Sequence, residues 1–113
     1  MAHKLFVCLT CLAEGEDAPK GPALLADLQA RFADAPDLEV VGQDCLSACA
    51  TPQAIAFRAE GKAAYLFAGV DPEGDRGDIA AFADMYRESS DGWIEDARPA
   101  GRLRFCLVGR MPA

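Results

Sequence analysis

The sequence predicts an α/β fold, and three observations carry it. Short apolar runs at residues 5–7 and 38–41 lie on either side of a segment with helical periodicity. Two more apolar runs, 54–59 and 63–68, are joined by the tight connector Glu60-Gly61-Lys62 and so read as a hairpin. A second helical pattern follows the hairpin. The 113 residues are enough for a single domain spanning 1–113, and a chain of this length buries roughly 65% of the surface its unfolded form exposes.

Each element follows from its residues. Leu5-Phe6-Val7 is a buried-strand run that ends directly in Cys8-Leu9-Thr10-Cys11. Residues 13–21 hold Glu14, Gly15, Glu16, Asp17, Pro19 and Gly21 and read as a polar loop. Pro22 suits a first helical turn, and Leu24, Leu25, Leu28 and Phe32 recur at helical spacing, which predicts a helix over 22–33. Residues 38–41 form the second strand, and Gly42-Gln43-Asp44 leads into Cys45-Leu46-Ser47-Ala48-Cys49 with Thr51-Pro52 behind it. After the hairpin, Asp71-Pro72 reads as a helix cap and first-turn proline. Gly74 and Gly77 weaken that turn and place the regular helix nearer Asp78, while Ile79, Phe82, Ala83 and Tyr86 supply its apolar face. Ser90-Asp91-Gly92 ends it. The tail becomes apolar through Phe105-Cys106-Leu107-Val108, as an edge strand or a short docking segment.

Strand, helix, strand, hairpin, helix and tail make the thioredoxin-like plan. The Cys pair at the exit of the first strand and Pro52 just before the third occupy positions that suit it.

Composition narrows the function. The formal charge is −7, with 11 Lys+Arg against 18 Asp+Glu. Nucleic-acid binding needs a basic face, and no run of Lys or Arg provides one. No apolar run reaches the ~18 residues of a membrane span, and the terminal run is too short for a signal-peptide core. The expected location is the cytoplasm, where five cysteines are not a disulfide framework. Phosphate-loop, dinucleotide and hydrolase nucleophile motifs are absent, so the chain reads as a non-enzyme. His3, the only histidine, reads as a surface residue and rules out a two-histidine Rieske centre.

The chemistry lies in the cysteines. Cys8 and Cys11 are separated by two residues and Cys45 and Cys49 by three. Both pairs follow strands expected to be parallel neighbours, so both arrive at one end of the sheet. Four thiolates there fit three uses. A [2Fe–2S] cluster takes two thiolates per iron, with Thr10, Ser47 and backbone N–H groups near Gly15 and Gly42 as donors to sulfur. A structural zinc site takes four thiolates at this spacing, making a binding module with no redox role. A dithiol oxidoreductase would use Cys8 and Cys11 alone and leave Cys45 and Cys49 unexplained. Cys106 reads as a small buried hydrophobe. Glu14, Glu16, Asp17 and Asp44 flank the pairs and would steer a protein redox partner with a basic docking face.

Cys8-Leu9-Thr10-Cys11, Cys45-Leu46-Ser47-Ala48-Cys49 with Pro52, Gly61-Lys62, Tyr65-Leu66-Phe67, Asp71-Pro72, Tyr86, Asp91-Gly92 and Arg98-Pro99 together resemble the DUF1636 family of predicted metal-binding proteins. That family looks related to the thioredoxin-like [2Fe–2S] ferredoxins. The resemblance implies a small cytoplasmic bacterial iron–sulfur protein, a ferredoxin-like electron carrier that can form a homodimer, with a link to cobalamin or metal metabolism. It departs from the better-known ferredoxins of this type, which space their first two ligands much further apart than Cys8 and Cys11.

Overall fold

Alternation along the first strand sets the architecture. The computed structural model describes residues 3–12, 15–44 and 53–113. In β1 (His3–Cys8), His3, Leu5 and Val7 are buried while Lys4 is exposed and Phe6 half-buried. A period of two in burial is that of a strand with one covered face. β1 lies inside a five-stranded sheet ordered β2-β1-β3-β4-β5, formed with β2 (Leu38–Gln43), β3 (Ile55–Ala59), β4 (Ala64–Phe67) and β5 (Leu107–Met111). β1 and β2 are parallel, as expected, with Cys8 opposite Gln43; the other pairings are antiparallel.

The covered face is packed by α1 (Gly21–Arg31) and α2 (Arg76–Glu88). Leu24 and Leu28 of α1, and Ile79, Phe82, Ala83 and Tyr86 of α2, are buried against Leu5, Val7, Val40, Ile55, Phe57, Tyr65 and Phe67. Phe57, Tyr65, Phe67, Phe82 and Tyr86 form one aromatic cluster, with centroid separations from 5.0 to 6.4 Å and many edge-to-face contacts. The two phenols end in fixed polar contacts. Tyr86 donates to the Ala63 carbonyl at 2.6 Å, and burial pushes its pKa up to about 12. Tyr65 donates to the Gly92 carbonyl at 2.6 Å and accepts from the Ile94 N–H at 2.8 Å.

Several expected boundaries move. α1 stops at Arg31 because Phe32 leaves helical geometry (φ −108°, ψ 20°) and the chain turns toward β2. α2 begins at Arg76, not near Asp78, and Asp71 is not its cap. Asp71 closes a separate turn by accepting the Glu73 N–H at 3.0 Å. The Asp75 carboxylate accepts the Asp71 N–H at 2.8 Å. Asp75 is buried beside the Arg102 guanidinium, which also donates to the Gly69 carbonyl at 3.0 Å.

The tail resolves into two pieces. Arg98–Cys106 is a 3-10 segment, kinked at Gly101 (φ 60°), in which Ala100, Leu103 and Cys106 are buried at the period of three that this helix imposes. Gly101 lies against the Asp78 carboxylate, where a Cβ would come within 2.7 Å of Oδ1. The chain then adds β5 as an edge strand. The apolar run from Phe105 to Val108 straddles the end of the 3-10 segment and the start of β5. Cys106 is buried, but Phe105, within the 3-10 segment, is 74% exposed, and Val108, on an edge strand whose five residues are all exposed, is 60% exposed.

His3 is the clearest departure from expectation. It is buried, its Nδ1 lying 2.9 Å from the Asp37 carbonyl and its Nε2 2.7 Å from Lys62 Nζ. An ammonium only donates, so Nε2 accepts and Nδ1 carries the proton toward Asp37. Lys62 also donates to the Tyr86 and Arg87 carbonyls at 2.9 and 3.2 Å, closing the end of α2.

Candidate metal or cluster site

The parallel pairing of β1 and β2 brings the chemistry to one sheet end. Leu9 N–H donates to the Gln43 carbonyl at 2.8 Å, so the strands remain paired one residue past Cys8. Asp44 then lies beside the cysteine turn: Thr10 Oγ1 donates to its carbonyl, and Cys8 Sγ lies 3.9 Å from the same oxygen. Cys45 is the next residue. Cys45, Cys49, Ser47 and the Thr51-Pro52 bond lie outside the described residues, as do Ala13 and Glu14.

Cys8 and Cys11 are brought together. Their sulfurs lie 3.1 Å apart, and the two residues are 0% and 1% exposed in a small cluster with Ala54. This is longer than a disulfide bond of about 2.05 Å and shorter than the ~3.8 Å between two thiolates on a tetrahedral metal with bonds of about 2.3 Å. A small side-chain rotation spans the difference, so the pair fits as two ligands of one metal ion. Among the described residues, no three Cys, His, Asp or Glu side chains converge as a metal site.

Four residues shape the turn, and the roles of two of them, Gln53 and Gly21, were missed in the sequence. Gln53 is buried; its amide donates to the Cys8 carbonyl at 2.7 Å and the Ala54 carbonyl at 3.1 Å, while Cys8 N–H donates to Ala54 at 3.1 Å. Gly21 reads as loop punctuation before a proline, yet it opens α1 against the Cys8 carbonyl; a Cβ there would lie 2.0 Å from that oxygen. The start of α1 therefore packs directly on the backbone of the cysteine turn. Gly42 has a steric role: a Cβ would meet Leu9 Cδ1 at 2.7 Å. Thr10, expected as a donor to sulfur, directs its proton to the Asp44 carbonyl instead, with its oxygen 3.8 Å from Cys8 Sγ.

Charge around the turn is less uniformly acidic than the composition suggests. Lys20 lies 3.3 Å from Glu16 and 2.9 Å from Glu73, and these partners, Glu73 foremost, raise its pKa. Asp17 and Asp44 are exposed. Cys106 is set apart from the pair. Its thiol points at the Gly69 carbonyl, 3.6 Å away, and burial raises its pKa, as the small-hydrophobe reading requires.

Sheet order, helix packing and the strand-exit cysteines define a thioredoxin-like α/β protein. Solved structures agree. A thioredoxin-like [2Fe–2S] ferredoxin from Aquifex aeolicus is similar with a TM-score of 0.62 and 11% identity, over 96% of this chain and 92% of that one. The wild-type ferredoxin of the same description at 1.5 Å resolution gives 0.55 and 13%, over 96% and 97%. A Cys-to-Ser variant gives 0.59 and 13%, over 95% and 98%. The chain belongs to the family described as protein of unknown function (DUF1636), whose model matches residues 5–113. No curated protein matches. Among the described residues, no helix is long and apolar enough to cross a membrane.

Proposed function

We propose that this protein is a small electron carrier that holds a [2Fe–2S] cluster on Cys8, Cys11, Cys45 and Cys49. The observation that carries the proposal is the buried Cys8–Cys11 sulfur pair at the end of β1, beside the end of the parallel strand that leads through Asp44 into Cys45. The thioredoxin-like neighbours are ferredoxins by description, which supports a carrier over an enzyme. Two of their variants replace cysteines four positions apart, the separation of Cys45 and Cys49 here.

When bound, the cluster supplies one-electron chemistry. The chain supplies the rest. Gln53 and the Ala54 carbonyl fix the Cys8 backbone, the start of α1 packs against the Cys8 carbonyl, and Thr10 ties the first cysteine turn to Asp44. Burial of both sulfurs argues against thiol–disulfide exchange, because reactive thiols are partly exposed. A four-cysteine zinc module is the competing assignment. Exposed Asp17 and Asp44 near the site and the net charge of −7 support a redox partner with a basic docking face.

The test is a set of single Cys→Ser variants read by visible absorption after anaerobic purification. Cys8→Ser, Cys11→Ser, Cys45→Ser and Cys49→Ser should each lose or shift the charge-transfer bands, and Cys106→Ser should keep them. Five unchanged spectra would overturn the ligand assignment.

A further inference from the structure

Both helices cover one face of the sheet, and among the described residues no helix covers the other. On it, Val41, Phe6, Ala56, Leu66 and Gly109 stand in one register row across all five strands, and all but Gly109 are half-buried. Space above this row forms an apolar groove of about 360 Å³ walled by Met111, which continues into a larger one of about 740 Å³ beside Lys4. These volumes lie in the range of small-molecule sites. Arg58 borders both.

Arg58 is the unusual residue. Arg31, Arg76, Arg87, Arg98 and Arg102 each pair with an aspartate, while Arg104 and Arg110 stack on Phe105 and Trp93. In a chain of charge −7, Arg58 alone of the arginines has no hydrogen-bond, ion-pair or ring partner among the described residues. Lys4, its neighbour across the β1–β3 pairing, reaches only Glu39, at 3.9 Å, with both groups about half exposed. An unpaired guanidinium beside an apolar platform matches a carboxylate that carries an apolar body: the fork takes the anion and the row takes the hydrocarbon.

We infer that the open sheet face binds a small amphipathic organic anion, with its acidic group on Arg58 and its apolar part over Phe6, Ala56 and Leu66. The site is separate from the cysteines and does not depend on what they hold.

The test uses the whole, metal-loaded protein as purified and two fluorescent probes. One is 1-anilinonaphthalene-8-sulfonate and the other its neutral relative N-phenyl-1-naphthylamine. The anionic probe should bind at one site per chain. Arg58→Gln should weaken it by about tenfold or more, in line with loss of one charge-assisted contact, and should leave the neutral probe nearly unchanged. Arg58→Lys should restore part of the loss, and Leu66→Glu should remove both probes. Arg58 is exposed and has no partner among the described residues, so its variants should keep the wild-type circular dichroism. Equal binding of the anionic probe by wild type and Arg58→Gln would overturn the inference, as would binding that survives Leu66→Glu. Exclusion of both probes from a chain that sediments as a dimer, with Leu66→Glu releasing monomer, would also overturn it and assign the face to a second copy.

Discussion

Gly21→Ala sets two effects of opposite sign against each other. Gly21 is the first residue of α1 and does not have positive φ, so helix propensity alone favours alanine, by up to about 1 kcal/mol. Packing opposes it. The new Cβ would stand 2.0 Å from the Cys8 carbonyl oxygen and 3.0 Å from its carbon, and both partners are backbone. Restoring an ordinary approach requires about 1 Å of movement between the α1 start and the cysteine turn, and overpacking of this kind costs about 1–3 kcal/mol or more. Because the carbonyl is also held by Gln53, displacement strains a second contact, so the upper end applies and the net loss is about 2 kcal/mol. The control is Gly77→Ala in the first turn of α2, where a Cβ meets nothing within 4 Å. Urea unfolding should lower the midpoint of Gly21→Ala by about 1–2 M for an m-value of 1–2 kcal/mol/M, and should leave Gly77→Ala equal to or above wild type. A Gly21→Ala protein as stable as Gly77→Ala would refute the claim that this helix start is packed against the site.

Other consequences are open to measurement. Lys62→Met should destabilise the protein by about 2–4 kcal/mol in urea, because His3 Nε2 and the Tyr86 and Arg87 carbonyls lose their donor in a buried place. Tyr86→Phe should cost about 1–2 kcal/mol by leaving the Ala63 carbonyl unpaired, with near-ultraviolet dichroism otherwise preserved. Arg87, through its hydrogen bonds, holds the Asp37 carboxyl below the usual carboxylate range, and backbone N–H donors do the same for Asp71 and Asp91. Their contribution is therefore complete above about pH 4–5 and is lost as pH falls through the depressed values. Urea midpoints should drop between pH 6 and pH 3, and Asp37→Asn should reduce the drop; a midpoint that rises on acidification would contradict this.

Local signals in the sequence carried much of the fold. Alternation about Leu5 and Val7, the turn at Gly61 and the helical spacing of Leu24, Leu28, Ile79 and Phe82 all depend on near neighbours, and each produced the expected element. Parallel β1 and β2 followed from the intervening helix. What stayed hidden depends on distant partners. His3 reads as a terminal surface residue because Asp37 and Lys62 are 34 and 59 positions away. Gly21 and Gln53 carry no motif; only the approach of the Cys8 backbone gives them a purpose. The tail does supply the expected edge strand, as Leu107–Met111, but the 3-10 segment before it, which holds the exposed Phe105, was not expected. Of the candidate site, the Cys8–Cys11 pairing was legible because spacing and strand exit are local properties.

The most direct test of the central claim is a visible spectrum of anaerobically purified protein, with iron, acid-labile sulfide and zinc counted per chain. The account predicts a coloured protein with about two irons and two sulfides per chain whose absorption bleaches with dithionite. A colourless protein with one zinc per chain, and no colour after iron–sulfur reconstitution, would contradict it and leave a structural metal module in its place.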